Sequence, residues 1–228
     1  MKNNAVTFCS FLILTGLLFV FLGFQTVFSK TTFDNSIQKR DTLLNTENYL
    51  VLGFKTQQIK LVLASDVQKY PGFEVYKKHK DVVFLCKGKP NEDLVFYEKF
   101  SPLGFTTYSR KMYLGEIEQP VISKNSYLSS YKETIIAQCK AGINFAGYYT
   151  IVSFGCGTSC QQNLIINRKT GEIDGEFVTS MGAKFQKNSS LLIRNFGAVA
   201  KKTSLIELYG KLEVNQMNWN GKKLILVK

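Results

Sequence analysis

The sequence predicts an α+β protein, mainly antiparallel β-sheet with one prominent amphipathic helix over about 126–141, linked by disulfides. Three observations point there. Short apolar runs recur from residue 49 onward, punctuated by Gly, Pro and Asn. One stretch departs from that rhythm, with Leu128, Tyr131, Ile135 and Cys139 recurring at three- and four-residue steps, the stripe of a helix that buries one face. Four cysteines remain once an apolar leader is set aside.

The elements follow in order. Residues 1–29 carry Lys2, an apolar run from about Ala5 to Phe24, and then Val27 and Ser29 at the small-residue positions of a signal peptidase site. The run is also long enough for an uncleaved membrane anchor. The segment is therefore expected to be a signal peptide or a membrane anchor, and membrane contact is expected through it. Residues 30–48 are polar and of mixed charge, and read as a linker. A β-rich region spans 49–125, with strands expected at 49–54, 59–64, 73–78, 81–86 and 93–100 and a short extended piece at 112–117. The region 126–228 begins with the helix, which Ser126 or Ser129 can cap and Gly142 can close. Strands are expected at 145–155, 163–167, 172–180, 190–196, 204–210, 211–219 and 222–228. The RKTG turn at 168–171 joins two of them as a hairpin, and Asn220-Gly221 joins the last two.

The cysteines set the compartment. Without residues 1–29 the chain keeps Cys86, Cys139, Cys156 and Cys160, an even four that suits an exported protein with two bridges. Four cysteines allow three pairings. Cys156 with Cys160 in GCGTSC is the natural local pair, because Gly155 and Gly157 permit a tight loop. Cys86 with Cys139 would then tie the two regions together, contributing about 2–4 kcal/mol. Redox use of Cys156 and Cys160 fits less well, since a strand and turn follow the motif where a thioredoxin-like site has a helix.

Composition narrows the chemistry. Lys+Arg is 29 against Asp+Glu 17, a net +12, and residues 178–228 hold nine of those cations against two acids. For an exported chain such basicity points to an anionic envelope component, or to a protein partner, rather than to nucleic acid. The single histidine, His79, lies in a charged stretch read as solvated. That leaves nucleophilic catalysis without a base and zinc without a ligand set, so no catalytic residue, metal or cofactor is expected. Glu172, Asp174 and Glu176 alternate along a strand and read as a solvated face.

The stretch 131–175 resembles a group of small exported bacterial proteins of uncharacterised activity. The resemblance rests on Asn144, Phe145, Ala146, Gly147, Tyr149, Gly155, Cys156, Gly157, Cys160 and Lys169-Thr170-Gly171. It extends over about 126–228 and implies no activity. Tyr148 stands where the group commonly has His, which favours a structural or binding role there over base catalysis. Candidate binding residues are Asn144, Tyr148, Gln161 and Gln162. Tyr148 and Tyr149, adjacent in an expected strand, should face opposite sides, and an exposed tyrosine beside the loop 155–160 would make a recognition surface. The expected function is an exported, disulfide-stabilised binding or structural module of the cell envelope. A thiol–disulfide exchange or hydrolytic enzyme using the Cys156/Cys160 loop, and an inhibitor of a lytic enzyme, are the alternatives.

Overall fold

Fourteen strands among the described residues pair only antiparallel, in four small sheets, beside one helix. The structure is a computed structural model, and it describes residues 40–87, 94–124, 126–208, 210 and 212–227. The leader 1–29 and most of the expected linker lie outside them. No helix among the described residues is long and apolar enough to cross a membrane.

The first sheet runs in the order β1 (Asp41–Asn45), β2 (Tyr49–Gly53), β6 (Val95–Lys99) and β12 (Leu205–Glu207). The second runs β3 (Gln58–Leu63), β5 (Val82–Lys87), β4 (Glu74–His79). Between them Tyr49, Val51, Phe84, Cys86 and Phe96 pack as one cluster. The expected break near residue 125 is spanned here: β12 pairs with β6, setting Ile206 opposite Glu98. β1 falls inside the stretch read as a linker. A bulge between Thr42 and Leu44 breaks its alternation, which removes the period-two signal that would have revealed it.

The centre of the second half is a long hairpin, β7 (Tyr149–Gly157) with β8 (Cys160–Asn167), extended by β9 (Ile173–Thr179). Alternation sends Val152, Phe154, Leu164 and Ile166 to one face and Tyr149, Ile151 and Ile165 to the other. The first face packs under the helix α1 (Lys132–Cys139), which a 3-10 turn over Tyr127–Tyr131 precedes. Leu128, Ile135 and Cys139 are buried there as the stripe predicts, and Ser126 accepts from the Leu128 N–H as its cap. Gln138 fixes the helix to β7 by bonding both backbone groups of Ser153, at 2.7 and 3.0 Å. The second face meets the last sheet, β10 (Ala183–Phe185), β11 (Leu191–Arg194), β13 (Asn215–Trp219) and β14 (Leu224–Leu226), through Leu192 and Trp219. The Asn220-Gly221 turn closes β13 onto β14 as expected: Asn220 Oδ1 accepts from the N–H of Lys222 and Lys223, and Gly221 sits at φ +94°.

The cysteines need one correction. Cys156 and Cys160 are bridged, with Cα atoms 5.1 Å apart, across the tip of the β7–β8 hairpin. Cys86 and Cys139 are free and buried. The expected bridge between them is not made because β5 carries Cys86 into the cluster between the first two sheets while α1 carries Cys139 into the one beneath the helix. Burial pushes both thiols up, so both stay protonated.

His79 also departs from the solvated reading. Its side chain is 14% exposed, stands edge-on to Tyr49, and its Nε2 donates to Glu98 Oε2 at 2.9 Å. Lys80 donates to the other oxygen at 2.6 Å. Burial alone would raise the Glu98 carboxyl, but hydrogen bonds and charge from His79 and Lys80 outweigh it and hold it low. A carboxylate lowered on folding stabilises above its unfolded value, near 4.5, and that support is lost as pH falls through the lower folded value. Glu98→Gln should therefore flatten the loss of stability between about pH 5 and pH 3, read from urea unfolding at stepped pH. Equally steep curves for both proteins would contradict this.

Candidate anion-binding site

The turn before β7 is not the strand that the sequence predicts. Phe145 and Tyr149 exchange backbone hydrogen bonds in both directions, folding 145–149 into a tight loop with Ala146 at φ +47° and Gly147 at φ +86°. As a result Tyr148 and Tyr149 do not face opposite sides. Their rings lie 4.3 Å apart at 31°, and the Tyr149 hydroxyl donates to that of Tyr148 at 3.2 Å.

An extended strap, residues 110–121, runs past this turn without joining a sheet. This is the segment where the short extended piece 112–117 is expected. It hydrogen-bonds to turns instead: Tyr113 N–H to Gly147 O, Glu118 N–H to Arg168 O, and Val121 N–H to Gly171 O, all within 2.8–2.9 Å. Two glycines make the approach possible. A Cβ on Gly147 would stand 2.3 Å from Lys111 O, and one on Gly171 2.1 Å from Gln119 O. Both also have positive φ, +86° and +79°.

Arg168 locks the arrangement. It follows β8 directly and is 1% exposed. Its Nε donates to Glu118 O at 3.0 Å; one Nη donates to Cys139 O at 2.8 Å and to Thr150 Oγ1 at 3.1 Å. No carboxylate accepts from it in these bonds. Cys139 ends α1, where the helix dipole favours a cation.

Strap and turn together enclose a cleft of about 590 Å³. Arg110, Lys111, Tyr113 and Leu114 line it from the strap, Tyr148 and Lys169 from the turns opposite. Lys169 Nζ lies 4.1 Å from the Tyr148 ring centre and 5.1 Å from that of Tyr113, so the two rings hold the ammonium between them. Three cations and no Asp or Glu line the cleft among the described residues. A smaller recess of about 130 Å³ shares Arg110, Ala146 and Tyr148 with the cleft and is completed by Tyr149, Trp219, Asn220 and Gly221. Burial and the Tyr148 hydroxyl push Tyr149 well up, so it stays a neutral donor.

The sequence-predicted binding residues are thus divided. Tyr148 lies in the cleft. The Asn144 amide is engaged by the backbone: it bonds both backbone groups of Ile151, at 2.7 and 2.9 Å, standing in for a neighbouring strand. Gln161 Oε1 accepts from Thr179, and Gln162 donates to Glu176, which also accepts from the Tyr127 hydroxyl. The expected pairing of an exposed tyrosine with the loop 155–160 fails on geometry. Tyr149 pairs with Asn167 at one end of the hairpin and the bridge closes the other, roughly 24 Å along the strands. Because that bridge closes a hairpin and not a helix start, no helix dipole is there to activate a thiol. Near it a cavity of about 530 Å³ carries both Arg194 and Glu213. Asn195 is spent inside it on the N–H groups of Ser180 and Met181 and on Glu213 O, so it reads as a structural corner.

Arg110, Lys111, Tyr113 and Lys169 were not singled out as binding residues in the sequence. Only the Lys169 turn carried a signal, and their meeting depends on the strap. Among the described residues no group of three or more potential metal-ligating side chains occurs. Comparison with family models, curated proteins and solved structures finds no match.

Two outcomes follow. Arg168→Met should cost about 2–3 kcal/mol in urea unfolding, because it strips charged donors from buried acceptors; unchanged stability would mean that the guanidinium is dispensable. Replacing Cys156 and Cys160 together by Ser should cost about 2 kcal/mol, the chain-entropy value for so short a loop. In that variant the tyrosine environment at the far end of the hairpin should be unchanged in near-ultraviolet circular dichroism.

Proposed function

We propose that the protein is an exported, disulfide-stabilised binding module that holds an anionic component of the cell envelope in the cleft between strap and turn. The observation that carries this reading is a cleft with three cations, two aromatic rings and no acidic lining, built on a buried scaffold. A bound oxyanion there would meet Arg110, Lys111 and Lys169 together. Holding Lys169 between two rings reduces the entropy lost on binding. The disulfide at the hairpin tip fits an oxidising compartment, as does the leader-like sequence ahead of residue 30. In this reading the bridge stabilises and does not bind.

The test uses three soluble or sedimentable anions: glycerol 3-phosphate, trigalacturonate, and vesicles of phosphatidylglycerol mixed with phosphatidylcholine. At least one should bind at low salt, weaken as salt rises, and lose about tenfold or more in affinity when Arg110, Lys111 and Lys169 are all changed to Ala. Failure of all three, or equal binding by the triple variant, would overturn the reading.

A further inference from the structure

The strap carries a feature that an anion site alone does not require. Leu114, on the rim of the cleft, is 92% exposed, and Ile117 and Val121 further along are 41% and 63% exposed. A large side chain that bare, set among Arg110, Lys111 and Lys169, pairs an apolar tip with a basic surround. Charge and apolar area presented together match the boundary between lipid headgroups and acyl chains.

The recess supplies the second half of the argument. Trp219 is 3% exposed, yet its indole N–H has no hydrogen-bond partner of adequate geometry. It stands beside the Tyr149 hydroxyl, in the wall of the recess. Its close acceptor, the Tyr149 hydroxyl, is met at poor geometry, so a better-placed acceptor from outside is favoured there. The indole is neutral, and a hydroxyl or ether oxygen suits it better than a second anion. The complete site therefore asks for an anion, a neutral oxygen close to it, and an apolar body next to both.

We propose that the cleft is a headgroup site for an anionic glycerophospholipid of the phosphatidylglycerol type. The phosphate lies among Arg110, Lys111 and Lys169, a headgroup hydroxyl accepts from the Trp219 indole, and Leu114 enters the acyl boundary. This rests on the anion-binding reading above and narrows it to one ligand class.

The experiment has two arms. In the first, the full chain without residues 1–29 is co-sedimented with vesicles of phosphatidylglycerol and phosphatidylcholine, and with vesicles of phosphatidylcholine alone. Binding to the first only is expected, weakened about tenfold in Leu114→Ser, a change at a solvent-exposed position that should leave folding intact. Lys169→Ala should weaken it further. In the second, the one tryptophan of the chain gives a single indole cross-peak in a nitrogen-15 spectrum. Dihexanoylphosphatidylglycerol should move that peak, and dihexanoylphosphatidylcholine should not.

Each adverse result is distinct. Capture of trigalacturonate without vesicle binding would overturn the lipid assignment and leave the anion site standing. Vesicle binding indifferent to Leu114→Ser and Lys169→Ala would mean attraction by overall charge alone, and would also overturn it. An indole peak that stays fixed while the lipid binds would overturn the headgroup assignment, because no headgroup oxygen would then reach Trp219. No binding of any anion would overturn both readings together.

Discussion

The second half of this protein depends on one desolvated cation. A guanidinium placed where Arg168 lies loses its hydration and must be repaid by strong acceptors. It finds them on three separate pieces of chain: the strap at Glu118, the end of α1 at Cys139, and β7 at Thr150. Its backbone adds two more ties, donating to Tyr148 O and accepting from Glu118 N–H. The turn that presents Tyr148, the strap that presents Arg110, Lys111 and Tyr113, and the neighbouring Lys169 are thereby set from a single point. None of these elements has enough regular hydrogen bonding to hold its place alone. A buried charge answered by two carbonyls and a hydroxyl favours one arrangement, because displacing any of them strands a polar group.

Much of the fold was legible for a simple reason: most strands bury one face, and burying one face imprints a period on the sequence. The stripe of Leu128, Ile135 and Cys139 is a case of this, while the hairpins at RKTG and Asn220-Gly221 were legible from their turn residues. β1 was not legible, since its bulge destroys the alternation. β10 is only three residues long, Ala183–Phe185, too short to carry a pattern. The local bridge could be read from loop chemistry. The long one could not, because pairing Cys86 with Cys139 requires knowing which core each reaches, and they reach different ones.

The candidate site was legible only at Tyr148, and even there for a reason that did not hold. A strand over 145–155 would separate Tyr148 from Tyr149; the left-handed turn at Ala146 and Gly147 stacks them instead. Gly147 and Gly171 stood out in the sequence as motif residues, yet their purpose is tertiary. Each clears the path of a carbonyl from a strap 36 or more residues away in the chain for Gly147 and further still for Gly171. Arg168 gave no local sign that it would be buried, since an arginine in a turn ordinarily faces water. The disulfide, the most conspicuous local feature, sits at the far end of the same hairpin from the cleft.

Backbone amide hydrogen exchange on Arg168→Met tests the central claim most directly. The amides of Tyr113, Glu118 and Val121 are the strap's ties to the turns. If Arg168 organises the region, all three lose protection together, while amides of the β3–β5 pair, in the other half of the fold, keep theirs. Strap amides that exchange as slowly as in the unmodified protein would contradict the account.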